Sequence, residues 1–334
     1  MNPLKTLLAG RLPKHYRPRP HRNMSPGVAP ALAATAAALG AMALYNHLKA
    51  RQAERDHPPG GRFVEVDGVR LHYVERGSGQ PVVMLHGNGS MARDFELSGL
   101  VDLAAGRYRV IAFDRPGYGY SERPRDRIWT PSAQARLLAK AFRQLGVERP
   151  VVVGHSWGTL VTMALATEHP TVIRGVVLLA GYYFPSLRRD VPLGSGPAIP
   201  ILGDILRYTI APIIGRMLAP GLIRKVFAPS PVPDSFQAFP VELSLRPSQL
   251  RASAEETAMM VPAAASLARR YKELAIPAVV LCGTGDRIVD FHGQSERLAQ
   301  VLAQGSIEPI APGGHMIHHL VPEQVMAAID KAAG

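Results

Sequence analysis

Three residues that together could activate a hydroxyl nucleophile occur in the order serine, aspartate, histidine along the 334-residue chain. Ser156 lies in "VVVGHSWG", where an apolar run meets a helix-like pattern. Asp286 ends "VVLCGTGD" after a second apolar run, and His315 ends the glycine-rich "APGGH". A serine hydroxyl needs a base to remove its proton, and that base must be held by an acid. The three residues therefore predict a catalytic triad for nucleophilic attack on a carbonyl group.

Two glycines lie where a tight turn around Ser156 would crowd the backbone. Gly154 and Gly158 complete the pattern G-x-S-x-G with Ser156 at its centre. In a strand-to-helix turn of this kind, small residues are required two positions before and after the nucleophile. The turn exposes the serine oxygen, and the following helix directs its N-terminus towards it. An ordinary glycine-rich turn between a strand and a helix is the alternative interpretation.

Backbone N–H groups are expected to stabilise the negative oxygen that forms on attack, since losing one such donor costs about 2.7–4 kcal/mol. One donor should be Trp157, directly after the serine. The second should be Asn88, in the loop "LHGNGS". We expect His86 to be a structural hydrogen-bonding residue, and Gly87 to let this loop approach the substrate.

Other acids and bases occur near the predicted triad. Asp290 is a weaker alternative for the acid, and His318 and His319 lie on the helix predicted to follow His315. Asp286 could instead be an aspartate that caps a turn, and His315 an ordinary core or surface histidine.

Short apolar runs in the sequence predict the strands that position these residues. Continuous apolar runs predict strands that are buried on both faces, as in a parallel sheet. They span residues 81–87, 108–114, 150–156, 173–181 and 277–286, with helical patterns at 131–145, 158–168 and 293–303. Asp67-Gly68 lies between two alternating runs and predicts a hairpin. The sequence therefore predicts an α/β fold with a doubly wound, mostly parallel sheet.

The chain divides into three predicted parts. Residues 1–57 hold a basic tail and a hydrophobic helix, residues 58–181 and 276–334 form the α/β core, and 182–275 form an inserted helical cap. The cap region is rich in proline between apolar helical fragments. Its first residues, Tyr182, Tyr183 and Phe184, could line the entrance of an apolar pocket or pack in the core.

Residues 28–48 carry no charge and approach the roughly 20 residues that a helix needs to cross a bilayer. We favour an N-terminal membrane anchor. A cleaved signal peptide and an alanine-rich packing helix remain open, so that the protein could also be exported or be soluble in the cytoplasm. Met24 is an alternative start, which would remove most of the basic tail.

Composition is that of a globular protein, with 47% hydrophobic and 19% charged residues. The single cysteine, Cys282, excludes a disulfide framework and a cysteine-based metal site. Residues 1–57 contribute +7 of the formal net charge of +12. The excess therefore belongs mostly to a basic tail, and we expect no nucleic-acid partner. We also expect no metal or organic cofactor, because the triad needs neither.

The motifs taken together resemble those of the α/β-hydrolase family. The matching stretches are "HGNGS", "DRPGYGYSERP", "GHSWG", "GTGD" and "GGH", within residues 62–332. The resemblance implies the α/β-hydrolase fold and a serine hydrolase with a helical cap. Haloalkane dehalogenases and epoxide hydrolases of this family use an aspartate nucleophile where this chain has Ser156, which argues against both activities. Proline iminopeptidases share the S-W-G turn but have a different oxyanion loop, which disfavours an aminopeptidase.

We therefore expect a hydrolase of carboxylic esters, or of thioesters or lactones, that forms an acyl-enzyme on Ser156. The substrate should be a small molecule with an apolar acyl group. A cofactor-free perhydrolase or haloperoxidase, a hydrolase of C–C bonds and an aminopeptidase are alternatives on the same fold. A non-catalytic receptor is disfavoured by the intact triad, although a fold alone never guarantees a function.

Overall fold

The computed structural model describes residues 28–188 and 190–334. The basic tail and the alternative start at Met24 lie outside the described residues. The chain divides into two units between Ala41 and Met42. In the first unit, the described residues belong to helix α1 (Val28–Asp56), and the second unit contains the rest of that helix and the α/β body.

Eight strands form one sheet in the order β1-β2-β4-β3-β5-β6-β7-β8. They are β1 (Arg62–Val66), β2 (Val69–Arg76), β3 (Pro81–Leu85), β4 (Arg109–Phe113), β5 (Val151–His155), β6 (Gly175–Leu179), β7 (Ala278–Gly283) and β8 (Gly305–Ile310). Strands β1 and β2 are antiparallel to their neighbours, and all the other pairs are parallel. This confirms the predicted mostly parallel sheet.

The first two strands form the predicted hairpin. Asp67 and Gly68 have φ angles of 50° and 72°. Positive φ at both central residues is what a two-residue type I′ turn requires, and its twist matches that of the strands it joins. Val66 pairs with Val69 directly across the turn.

Helices lie on both faces of the sheet and between β6 and β7. After α1 they are α2 (Arg93–Leu97), α3 (Leu100–Ala105), α4 (Pro131–Gln144), α5 (Gly158–Glu168), α6 (Asp190–Gly194), α7 (Leu202–Tyr208), α8 (Ile210–Phe227), α9 (Val241–Ser244), α10 (Pro247–Ala268), α11 (Arg297–Val301), α12 (Ile317–Leu320) and α13 (Pro322–Ala333). One apolar layer holds α4 and α5, and the other holds α3 and α13. The doubly wound architecture is thereby confirmed.

Helices α6 to α10 lie between β6 and β7, in the segment predicted to form the cap; we call residues 182–275 the cap segment. Its first three residues, Tyr182, Tyr183 and Phe184, are buried in the same apolar layer as α4 and α5. The backbone N–H groups of Tyr183 and Phe184 both donate to Gln294 Oε1. Of the two interpretations of these aromatics, the structure shows core packing.

Helix α1 extends to Asp56, eight residues beyond the predicted end. Its most apolar 18-residue stretch has a mean hydropathy of 1.6 with no residue buried, so it is long and apolar enough to cross a membrane. The residues of α1 after Ala41 contact the cap segment. Asn46 Nδ2 donates to the Thr209 carbonyl over 2.6 Å, and Glu54 pairs with Arg246 at 3.1 Å.

Candidate active site

Ser156, His315 and Asp286 lie in series within hydrogen-bonding distance. His315 Nε2 is 2.9 Å from Ser156 Oγ, and His315 Nδ1 is 2.7 Å from Asp286 Oδ2. Ser156 follows strand β5, Asp286 follows β7 and His315 follows β8. All three residues therefore lie at the carboxyl ends of parallel strands, where the loops of an open sheet meet. The structure therefore brings the three predicted residues together in the arrangement that proton transfer from serine requires.

The second oxygen of Asp286 is also fixed. Its Oδ1 accepts the backbone N–H groups of Ile288 and Val289 over 2.7 and 3.1 Å. Asp290 instead accepts the Gly293 N–H at the start of a π-helical turn (Phe291–Glu296) that precedes α11. This alternative acid caps a helix and does not contact His315.

The turn that carries Ser156 is strained in the way that the glycine pattern predicts. Ser156 has a φ of 51°, a left-handed conformation that a non-glycine residue rarely adopts. A Cβ on Gly158 would overlap the Leu85 carbonyl, and one on Gly154 would overlap Thr162 Oγ1. The turn thus passes too close to β3 and to α5 for a side chain at either position.

Both predicted oxyanion donors lie close to the nucleophile in the chain or in space. Within the part of the chain that the structure describes, the backbone N–H groups of Asn88 and Trp157 donate to no protein acceptor. Gly87 brings the first loop to the nucleophile, since a Cβ there would lie 3.0 Å from Ser156 Cβ. Two donors beside a serine oxygen are what a tetrahedral oxyanion requires.

His86 is a buried hydrogen-bonding residue that contacts its own loop. Its Nε2 accepts the Arg115 backbone N–H over 3.0 Å, so its proton is on Nδ1, which donates to the Gly87 carbonyl over 2.8 Å. Burial, and then the charge of Arg115, lower the pKa of His86 to about 3. The imidazole is therefore neutral and holds the loop in shape.

An entirely buried ion pair supports the same loop. The Arg115 guanidinium donates to the carbonyls of His86 and Gly87 over 2.7 and 3.0 Å. It also pairs with Glu256 of α10 at 2.5 Å, and both side chains are 0% exposed. Tyr118 donates a further hydrogen bond to Glu256 over 2.7 Å. The sequence analysis missed this pair: Arg115 lies in the "DRPGYGYSERP" motif, whereas nothing in the sequence around Glu256 marks it.

Helix α10 contacts both residues that carry the oxyanion donors. Trp157 Nε1 donates to the Glu256 carbonyl over 3.1 Å. Asn88 Nδ2 donates to the Ser253 carbonyl and to Thr257 Oγ1 over 3.1 and 3.0 Å. One helix of the cap segment therefore positions both halves of the candidate oxyanion hole.

A second buried group holds the segment that follows His315. Asp94 accepts hydrogen bonds from His319 Nε2 and His318 Nε2 over 2.7 and 3.2 Å. Burial alone would raise the pKa of Asp94, but the two imidazoles hold it well below its usual range. His318 and His319, which follow the predicted base on α12, thus fasten its segment to Asp94.

Asp94, His155 and His318 also have the composition of a metal site, since their ligand atoms lie within 4.8 Å of one another. His155 Nε2 lies 3.1 Å from the His315 carbonyl, to which it donates. Because the Asp94 carboxylate is already engaged by two imidazoles, we assign this group to positioning His315.

The fold and the site agree with a match to a family model. Residues 80–322, more than half of the chain, match the model of the alpha/beta hydrolase fold family. The chain therefore belongs to the α/β-hydrolase family.

Several proteins of known name are similar to this chain. Haloalkane dehalogenase 2 of Mycobacterium bovis is 26% identical over 83% of this chain and 96% of the relative. A 2-hydroxymuconate semialdehyde hydrolase of Pseudomonas sp. strain CF600 is 36% identical over 40% of this chain and 48% of its own length. The crystal structure of a membrane phospholipase A, described as a bacterial virulence factor, covers 91% of this chain and 96% of that protein, with a TM-score of 0.62 and 21% identity. At that identity the structural likeness shows the fold alone.

Proposed function

We propose that this protein is a serine hydrolase that cleaves a carboxylic ester through an acyl-enzyme. The observation that carries the proposal is the series Ser156–His315–Asp286, with two unengaged N–H groups beside the serine. Membership of a family that contains hydrolases supports it.

In the proposed reaction, Ser156 Oγ attacks the carbonyl carbon while His315 Nε2 takes the serine proton. Asp286 stabilises the imidazolium, and the N–H groups of Asn88 and Trp157 donate to the oxyanion. The C–O bond of the leaving group then breaks, and His315 returns the proton to the departing alkoxide. Water, deprotonated by His315, attacks the acyl-enzyme and releases the acid and the free serine.

We infer that the substrate is a small molecule with an apolar acyl group, and that residues 28–48 anchor the protein to a membrane. The uncharged N-terminal part of α1 supports the anchor. Thioesters and lactones would pass through the same steps.

Cleavage of a C–C bond next to a carbonyl group is the second candidate. The 36% identity over 137 residues to a 2-hydroxymuconate semialdehyde hydrolase favours it. Dehalogenation is disfavoured despite the similarity to a dehalogenase, because a serine stands at the nucleophile position where those relatives are expected to have an aspartate.

The nucleophile is tested with a fluorophosphonate probe and p-nitrophenyl esters on the full chain. We expect Ser156→Ala to abolish labelling and to lower kcat by about 10⁶-fold, as removal of a serine nucleophile does elsewhere. Ser132→Ala, a serine of α4 that contacts Glu168, is the matched control and should label normally. Labelling that survives Ser156→Ala would contradict the proposal.

The bond that is cleaved is tested by comparing esters with vinylogous diketones. We expect turnover of esters with apolar acyl groups and none of the diketones. Turnover of diketones alone would assign the site to the second candidate.

A further inference from the structure

Large apolar side chains are exposed in one part of the cap segment. Helices α7 and α8 and the residue before them carry eight that are about half exposed or more. They are Ile201 (78%), Leu202 (50%), Ile205 (48%), Tyr208 (49%), Ile214 (48%), Met217 (76%), Leu218 (55%) and Leu222 (54%). Soluble monomers rarely leave contiguous apolar patches of more than a few hundred Å² exposed, and larger patches mark interaction surfaces.

The exposed residues of α8 form one stripe. Residues 214, 217, 218 and 222 are separated by three, four and eight positions from the first, which places them on the same side of a helix. The opposite side of the helix contains Pro212 and Phe227, which are its buried residues. The outer face of α8 is therefore apolar and exposed to solvent.

The charges next to this stripe are positive. Arg224 and Lys225, in the last turns of α8, are exposed and have no ion-pair partner among residues 28–188 and 190–334. Helix α8 contains no aspartate or glutamate. An exposed apolar helix face is attracted to the interface of an anionic bilayer by burial of its side chains, and cations beside that face are attracted by the lipid phosphates.

The residues of α1 that follow its apolar N-terminal stretch contact the cap segment. Within the unit that begins at Met42, Asn46 of α1 donates to the carbonyls of Tyr208 and Thr209 and accepts from Arg216 Nη1 over 2.8 Å. The uncharged residues 28–41 directly precede this contact along the helix. Within the second unit, the part of α1 that follows the apolar stretch therefore contacts α7 and α8.

We propose that the exposed face of α7 and α8 lies in the interfacial region of an anionic lipid bilayer. The face is defined by the eight residues given above, with Arg224 and Lys225 contacting lipid phosphates. This inference goes beyond the hydrolase chemistry, because it concerns a surface and requires no reaction at Ser156.

Tryptophan reporters test this surface in the full chain. The two native tryptophans, Trp129 and Trp157, are both 1% exposed and give a constant background. Met217→Trp places a reporter on the stripe, and Leu103→Trp places a control on the exposed side of α3, where Leu103 is 40% exposed. Each variant is reconstituted in vesicles of phosphatidylglycerol and phosphatidylcholine with bromine in the acyl chains. We expect the added emission at position 217 to shift to shorter wavelength and to be mostly quenched, and that at position 103 to be unchanged.

Three results would overturn the proposal. The first is an unquenched reporter at position 217, and the second is equal quenching at positions 217 and 103. The third is a shift of the position-217 emission that depends on protein concentration rather than on lipid, because this would indicate contact between copies of the protein. Adding Arg224→Glu and Lys225→Glu should reduce the quenching in these anionic vesicles and leave turnover of a soluble ester unchanged. Because the reporter can be read in a Ser156→Ala background, failure of this inference is distinguishable from failure of the proposed reaction.

Discussion

Arg115 and Glu256 are 141 residues apart in the chain and meet without access to water. A buried charge is tolerated only when its partner and its hydrogen bonds are complete. Here the Arg115 guanidinium donates to two backbone carbonyls and to the Glu256 carboxylate. Gln134 and Tyr118 donate further hydrogen bonds to that carboxylate. The pair therefore fixes the shape of the oxyanion loop and the place of α10 together.

We predict that Glu256→Gln lowers the free energy of unfolding by about 3–5 kcal/mol, because it leaves the Arg115 charge buried without a counter-charge. Urea denaturation monitored by tryptophan fluorescence would measure the loss. A loss smaller than about 1 kcal/mol would mean that water or another carboxylate reaches the guanidinium.

A double variant separates positioning from stability. Arg115→Met with Glu256→Leu removes both charges, and we expect it to recover most of the lost stability, as replacement of buried ion pairs by apolar residues does elsewhere. It nevertheless removes the donors to the His86 and Gly87 carbonyls. We therefore expect kcat for a soluble ester to fall by at least about tenfold with little change in KM, since the oxyanion donors act in the transition state. An unchanged kcat would show that the loop holds its shape unaided.

At the scale of elements, the turn between β5 and α5 determines where the nucleophile lies. Strand β5 is buried along its whole length, and ten of the eleven residues of α5 are buried. A helix so fully enclosed cannot move to make room for an added side chain, because protein interiors are close-packed.

We predict that Gly158→Ala destabilises the protein by about 1–3 kcal/mol and lowers activity, because the new methyl group would overlap the backbone of β3. Gly60→Ala is the matched control: no atom lies within 4 Å of the methyl group it would add, and it should leave unfolding and turnover nearly unchanged. Unfolding midpoints in urea and ester turnover measure both effects. Equal behaviour of the two variants would show that the turn is not tightly packed.

The buried strands could be predicted from the sequence because each is a short apolar run with turn residues around it. Strand β8 was missed for the opposite reason. It is the edge strand "GSIEPI", which is only partly buried and contains a glutamate and a proline. The end of α1 was placed too early, because its last turns are polar and are held by contacts with the cap segment rather than by an apolar pattern.

At the scale of the whole molecule, some residues of the candidate site could be predicted from the sequence and others could not. The triad could be named from local motifs, because each of its residues follows a recognisable strand, and the structure brings the three together. Their catalytic role stays a prediction. Glu256 could not be found, since a single glutamate in a helix gives no local sign that it will be buried against an arginine of another loop. The same holds for Asp94 and the two histidines that contact it.

Protonation links three buried histidines to the stability of the whole molecule. Burial lowers the pKa of His86, His155 and His318 below the ordinary value, to about 3 for His86. The unfolded chain therefore binds protons below about pH 6.5 that the folded chain does not take up. The free energy of unfolding should therefore have its full value above about pH 6.5. Below that pH it should decrease by up to about 1.4 kcal/mol per pH unit for each histidine. Urea denaturation at pH 8, 6 and 5 would check this expectation, and a flat profile would contradict it.

The contacts of α10 have a consequence for how molecules reach and leave Ser156. Besides the buried ion pair, Arg123 of the loop after β4 pairs with Glu255 at 2.8 Å, and Gln249 accepts the Gly119 N–H over 3.0 Å. Breaking these bonds to make an entrance would disturb the same groups that hold the oxyanion donors. Molecules are therefore expected to reach and leave the serine without separating α10 from the loops after β3 and β4, so that the oxyanion donors stay in place between turnovers.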